Sequence, residues 1–380
     1  MTVPAHEWLE LIEREYLSDF VTAGGAAVKF AVGDDHQLAV VARVLQLLSE
    51  RHGLAWVAVD AAAARLHMIQ DAFFVIARQL DWQALAQHFV EALFGKKGYE
   101  WPRPGEAVSI QDVAECNRLD VTLLRRDFRQ WLTAEVMRDT DMTQDFQVAM
   151  TRLCLQRLEP EDAELGITSP ILQWLHGDLP RIGALKQTFI TTKITRHNGR
   201  AMLRSLCRWL RLCGRQGLCV ALDIRQLGRS GAALGDNIRY SPAAVLDAFE
   251  VLRQIIDDSE HLAGLMLVVL ADQTLIGDDP RRSLDAYLAL KMRIWSDVRP
   301  KGRDNPLAPL VVLAGQQPKR AARRRPRDGA PADARQRTQC DRGAASRGAQ
   351  PGCHSPFGTR RRSIAPGICR PAQAVQCCTG

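Results

Sequence analysis

The sequence predicts an α/β protein built on a parallel sheet and interrupted by a large all-helical insertion, and three observations carry that expectation. Gly217-Leu218-Cys219-Val220-Ala221-Leu222-Asp223 is an almost wholly apolar run ending on one carboxylate. It lacks the polar alternation of a half-solvated strand, as expected for a parallel strand covered on both faces. Residues 27–60 read as strand, loop, helix and strand, the size of a right-handed βαβ crossover. From Ala61 to about Thr195 the apolar periodicity is almost wholly helical.

Taken in order, Trp8, Leu9, Leu11, Ile12, Tyr16, Leu17 and Phe20 recur at helical spacing, predicting one amphipathic helix that stops near Gly24-Gly25. Ala27–Val32 is the first predicted strand, followed by Gly33-Asp34-Asp35 and a helix through Leu38, Val41, Leu45 and Leu48. Leu54–Asp60 is the second strand. Helices are predicted over 66–80, 82–94, 110–116, 121–137 and 146–158, with Gly98 to Gly105 as a surface turn. Residues 200–212 place arginines opposite an apolar stripe, a helix that glycines close before the 217–223 strand. Arg225 to Asn237 reads as a flexible polar loop over the end of that strand. Ser241-Pro242 caps a helix through Val245, Phe249, Leu252 and Ile256. Ala263–Asp272 and Leu307–Ala314 supply further strands, with a helix over 284–295 between them.

Charge divides the chain. Residues 316–380 hold 14 Lys/Arg against 3 Asp/Glu, whereas residues 1–315 hold 36 against 40, so the overall +7 belongs to the tail. A globally basic nucleic-acid surface is therefore not implied for the rest. Lys319 to Arg327 opens a stretch rich in Arg, Ala, Pro and Gly with too few large apolar residues for a core. It reads as disordered, either a basic arm or, as preferred, an out-of-frame translation. The ten cysteines divide evenly between body and tail and show no metal spacing. No run approaches a membrane span and no basic-then-apolar leader opens the chain, so a cytoplasmic location is expected.

Asp223 ends a strand where open α/β sheets bind ligands, and in phosphate-loop proteins the matching residue holds magnesium. The alternative is an ordinary turn aspartate. After the first strand, a phosphate loop would read G-x-x-x-x-G-K-[ST]. Here Gly33 is followed by Asp34, Asp35, His36, Gln37 and Leu38, so the second glycine, the lysine and the hydroxyl are missing. Asp34 and Asp35 are expected to cap the following helix. Asp272 is expected to cap its loop, and Arg281 and Arg282 to solvate theirs unless one serves as a finger in trans. In the insertion, Ser109–Cys116 and Val121–Phe128 resemble a helix-turn-helix or winged-helix part, although the turn Asn117–Asp120 has no glycine. Arg118, Arg125, Arg126 and Arg129 cluster there as a patch for DNA or a protein partner, or else as a solvated face, and changing all four to alanine is expected to weaken binding without a large loss of stability.

Glu15-Tyr16-Leu17 with Phe20, Gly24-Gly25-Ala26-Ala27-Val28-Lys29-Phe30, and Gly217–Asp223 after an arginine-rich helix resemble the ATP-binding proteins of BREX bacteriophage-exclusion systems. The similarity runs from about Glu7 to Ala314. It implies a P-loop NTPase-like core related to ring ATPases, of the AAA/ASCE type, over residues 1–60 and 196–315. Residues 61–195 are then the helical insertion and 316–380 the tail. It also implies ATP and magnesium as cofactors, Gly33, Asp34, Asp35, His36 and Gln37 facing the nucleotide, and Asp223 as the catalytic and magnesium-holding acid. Other BREX proteins are the implied partners, DNA and a homo-oligomer remain open, and no membrane is involved. The sequence departs from the family at the phosphate loop and at Ile224, where a water-activating glutamate would follow Asp223. The expected function is an ATP-binding-family subunit of anti-phage defence with little or no ATPase. The alternative is a non-enzymatic adaptor or DNA-binding protein that keeps the ATPase fold.

Overall fold

The computed structural model describes residues 2–103, 108–159, 166–229, 237–295 and 305–314. The loop residues 230–236 and the tail, residues 316–380, lie outside them. Six strands form one parallel sheet: β1 (Thr2–Val3), β2 (Ala27–Val32), β3 (Leu54–Asp60), β4 (Gly217–Asp223), β5 (Leu265–Ala271) and β6 (Leu310–Leu313), in the order β1-β6-β2-β5-β4-β3. Every residue of β5 is buried, as is β4 up to its final aspartate. That is why both read as unbroken apolar runs. The two-residue β1, too short to leave a pattern, pairs with β6.

The strand order fixes the layers. The chain passes from β2 to the far edge at β3 and then returns through β4 and β5 to β6. Right-handed crossovers therefore put the β2–β3 connection on one face and the three later connections on the other. Two cores match this division. Ala31, Ala221 and Val268 face helix α1 (Ala5–Ile12) and helix α2 (Asp35–Arg51), whereas Phe30, Val220 and Leu267 face the larger core. That larger core continues into α3 (Ile69–Arg78), α4 (Trp82–Lys96), α5 (Ile110–Asn117), α6 (Val121–Leu132), α7 (Gln144–Leu158) and α8 (Thr168–His176). It also takes in α9 (Gly199–Leu212), α10 (Arg225–Gly228), α11 (Pro242–Asp257) and α12 (Leu288–Ile294). At the start of β4 the backbone of Gly264 comes so close that a Cβ on Gly217 would lie 2.1 Å from its carbonyl oxygen. Only glycine fits there.

Several elements differ from the sequence expectation for local reasons. The first helix is α only to Ile12 and continues as a π-helix over Glu13–Phe20. Ile12 and Leu17 are both fully buried yet five residues apart, and wider winding keeps on one face a pair that an α-helix would separate. Residues 133–137 are likewise π, so α6 stops at Leu132. Helix α3 starts three residues later than the periodicity suggests. The Tyr240 hydroxyl accepts from the Leu66 N–H at 3.0 Å and sits 2.5 Å from the Ala64 carbonyl, holding residues 61–66 as a loop. The predicted helix over 284–295 is α only from Leu288, because Tyr287 leaves helical geometry to bond Glu250 of α11.

Candidate functional site

The carboxyl edge of the sheet brings together the ends of β2, β4 and β5. β2 ends at Val32, and the Gly33 N–H donates to the Ala271 carbonyl at 3.0 Å, joining the ends of β2 and β5. Asp34 is the N-cap of α2: it accepts from the Gln37 N–H at 2.8 Å, while the Gln37 side chain accepts from the Asp34 N–H at 3.0 Å. Gln37 is buried, and its amide also donates to the Ala314 carbonyl at 2.5 Å, tying α2 to the end of β6. Gly33 and Asp34 are thus the whole connection between strand and helix. Replacing Asp34 by alanine is expected to cost about 1 kcal/mol in chemical denaturation, the usual weight of a cap.

Asp35 does not cap. It occupies the first turn of α2, 79% exposed, and pairs with Arg225. Arg225 follows β4 by two residues and donates from Nε to both oxygens of Asp223 at 3.0 Å, from Nη2 to Oδ2 at 2.5 Å, and from Nη1 to Asp35. Its backbone N–H also reaches Asp223 Oδ1 at 3.0 Å. One guanidinium therefore bridges the acid at the end of β4 and the first turn after β2. The hydrogen bonds that Arg225 donates to Asp223, with those to Asp35 adding to them, raise the Arg225 pKa above its ordinary value. This fork was not legible as such: residues 225–229 read as polar loop, but 225–228 form a helical turn with Gln226 and Leu227 buried. The usable signal was an arginine two positions after a strand-ending aspartate.

Two further polar groups at this edge are also engaged. Asp272 accepts from the Thr274 N–H at 3.0 Å and caps the turn after β5. Arg282 donates at 2.9 Å to the carbonyls of both Leu227 and Tyr240. Arg281 and His36 are exposed. These residues do not fit a magnesium nucleotide as they stand. No glycine-rich loop intervenes to wrap phosphates. A Cβ on Gly33 would already lie 3.0 Å from Gln37 Oε1 and 3.2 Å from Leu313 Cδ1, and Asp223 is held by a cation from its own chain.

Away from the sheet, the expected basic patch is divided. Arg125 Nε donates to Glu159 at 2.7 Å and Arg129 Nη2 at 3.2 Å, and the Glu159 side chain is only 4% exposed. Removing these two arginines would strand a buried carboxylate, so the expectation that the whole patch could be removed at little cost to stability is corrected. Arg118 and Arg126 are exposed. Among the described residues there is no cluster of three or more potential metal ligands, and no helix is long and apolar enough to cross a membrane. Cys207 and Cys219 are buried, with thiols pushed up to about 12 by desolvation, as befits small core hydrophobes.

A parallel α/β sheet covered on both faces, with its crevice at the carboxyl edge and that crevice bridged by an internal arginine, defines the class of protein. The chain belongs to the family of BREX system ATP-binding proteins BrxC/D, whose model matches residues 111–322. The match takes in Asp223, Arg225 and most of the helical segment, while Gly33 to Gln37 precede it. No curated protein and no solved structure matches the chain.

Proposed function

We propose that this chain is an ATPase-fold subunit of a BREX anti-phage system that hydrolyses ATP very poorly or not at all and acts through contacts with other BREX proteins. The sheet order supports the ATPase-fold part. The strand that would carry the phosphate loop, β2, is separated from the acid-bearing β4 by one strand, β5, as in ring-type ATPases.

The single observation that carries the loss of hydrolysis is the Asp223–Arg225–Asp35 bridge. Phosphoryl transfer relies on positioned positive charge around the phosphates. In this chain the acid that would hold magnesium is neutralised by Arg225, and the phosphate-loop lysine and hydroxyl are absent. Losing one such stabilising donor costs about 3 kcal/mol of barrier, roughly a hundredfold in rate, and several are missing together. The same bridge favours the adaptor reading over a weak enzyme, because it satisfies both carboxylates without any ligand.

The test is ATP turnover by the purified chain, paired with a thermal shift in magnesium and ATP. The expected result is no detectable turnover and no magnesium-dependent shift. Turnover near one per second or faster, typical of working enzymes, and abolished by Asp223→Ala, would overturn the reading.

A further inference from the structure

Helices α5 and α6 are joined by the three residues Arg118, Leu119 and Asp120. α5 is closed as glycine-terminated helices are: Arg118 takes the left-handed conformation, φ 55° and ψ 46°, and the Leu119 N–H returns to the Ala114 carbonyl at 2.8 Å. The missing glycine, which told against a helix-turn-helix in the sequence, is thus replaced by an arginine in the conformation a glycine would adopt. Asp120 then caps α6 through the Leu123 N–H at 2.9 Å. Val113 and Ala114 of α5 and Leu124 and Phe128 of α6 are buried, so the inner faces of both helices are anchored in the core.

The outer face of α6 has a different chemistry. Thr122, Leu123, Arg126, Arg129, Gln130 and Thr133 are all exposed, and at 100° per residue they fall on one continuous stripe. The stripe contains two guanidinium groups, one amide, two hydroxyls and one branched alkyl group, and no carboxylate. Asp120 and Asp127 lie on its flank. Arg126 meets Asp127 at 3.4 Å with its side chain 74% exposed, a neighbouring pair of little energetic weight. Arg129 is oriented by the buried Glu159 while remaining 57% exposed. The centre of a protein interface is enriched in aromatic residues and methionine as well as arginine, and this stripe has neither an aromatic residue nor a methionine. Arginine, glutamine and threonine are instead the side chains that read purine edges and thymine methyls in the major groove, and arginine is also the side chain that meets phosphates.

We propose that α5 and α6 form a helix-turn-helix that binds duplex DNA, with Thr122, Arg126 and Gln130 of α6 facing base edges and Arg118 at the turn facing the phosphate backbone. This stripe shares no residue with the carboxyl edge of the sheet, so DNA binding stands or falls independently of the nucleotide reading.

The test is selection from a random pool of duplexes with the purified full chain, followed by binding curves on any enriched sequence at two salt concentrations. A basic tail binds DNA through charge alone and enriches nothing, whereas a groove reader selects a sequence. The expected result is an enriched motif, with Thr122→Ala/Arg126→Ala lowering the preference for it over random duplex by about 10- to 100-fold. Arg126→Lys, which keeps the charge and loses the fork, should retain salt-dependent affinity yet weaken the preference. Unchanged thermal melting of both variants separates these effects from misfolding. Enrichment of no motif, or a motif bound equally well by the alanine variant, overturns the proposal and leaves the face to a protein partner.

Discussion

Replacing Arg125 and Arg129 together by alanine is expected to destabilise the protein by about 3–5 kcal/mol, far more than two surface arginines would cost. Glu159 is the reason. Its side chain is 4% exposed and each of its two oxygens faces one of these guanidinium groups, at 2.7 and 3.2 Å. Taking both away leaves a carboxylate buried without a partner, and the desolvation cost is then uncompensated. Urea denaturation of the double variant measures this directly. Adding Glu159→Leu should recover most of the loss, because it removes the stranded charge and fills a similar volume. A double variant within about 1 kcal/mol of the parent would mean that Glu159 is not held as described.

Lys29→Met is expected to stabilise the protein, and the gain should depend on pH. Lys29 lies in the middle of β2 at 6% exposure, donating to the Leu307 carbonyl at 2.7 Å and sitting 4.4 Å from the centre of the Tyr16 ring. Burial pulls its pKa down from 10.5 to about 8. Below pH 8 the lysine is charged in both folded and unfolded chains and its burial penalty is fully present. Between about 8 and 10.5 the folded protein has released a proton that the unfolded chain still holds. Stability contributed by this group therefore rises as pH increases through that window. Methionine keeps the length and removes the charge, at the loss of one hydrogen bond to the carbonyl of half-buried Leu307. The expected gain is on the order of 1–3 kcal/mol at pH 7, shrinking toward zero near pH 10. The difference between the two unfolding curves is the quantity to follow, because the buried thiols titrate in the alkaline range in both proteins and cancel. A pH-independent difference would show that the charge is not what β2 pays for.

The arginine cluster shows where sequence reasoning stopped. Arg118, Arg125, Arg126 and Arg129 are visible as a group from spacing alone, and helix periodicity separates inward Leu124 and Phe128 from the rest. Which arginines are committed depends on Glu159, which follows α7 and is about thirty residues away in the chain. Nothing local announces that contact. The absence of glycine from the turn was likewise legible, but the ability of Arg118 to take the left-handed position was not, since it depends on the Leu119 N–H closing back on α5.

By itself the sequence determined the parts whose signal is local. The β4 run from Gly217 to Asp223 coincides with the strand because unbroken apolar character records burial on both faces. The Asp34 cap follows from its place before an apolar helical pattern, and that no lysine stands between Gly33 and Leu38 is a matter of inspection. The tertiary structure alone decided the strand order, the π winding that keeps Ile12 and Leu17 on one face, and the bridge from Asp223 through Arg225 to Asp35. Asp35 and Arg225 are 190 residues apart, and they meet because the parallel sheet brings the carboxyl ends of β2 and β4 to one edge with β5 between them. Charge pairing across such a crevice depends on which strands are neighbours, and that choice is made by the packing of the whole core rather than by any local pattern.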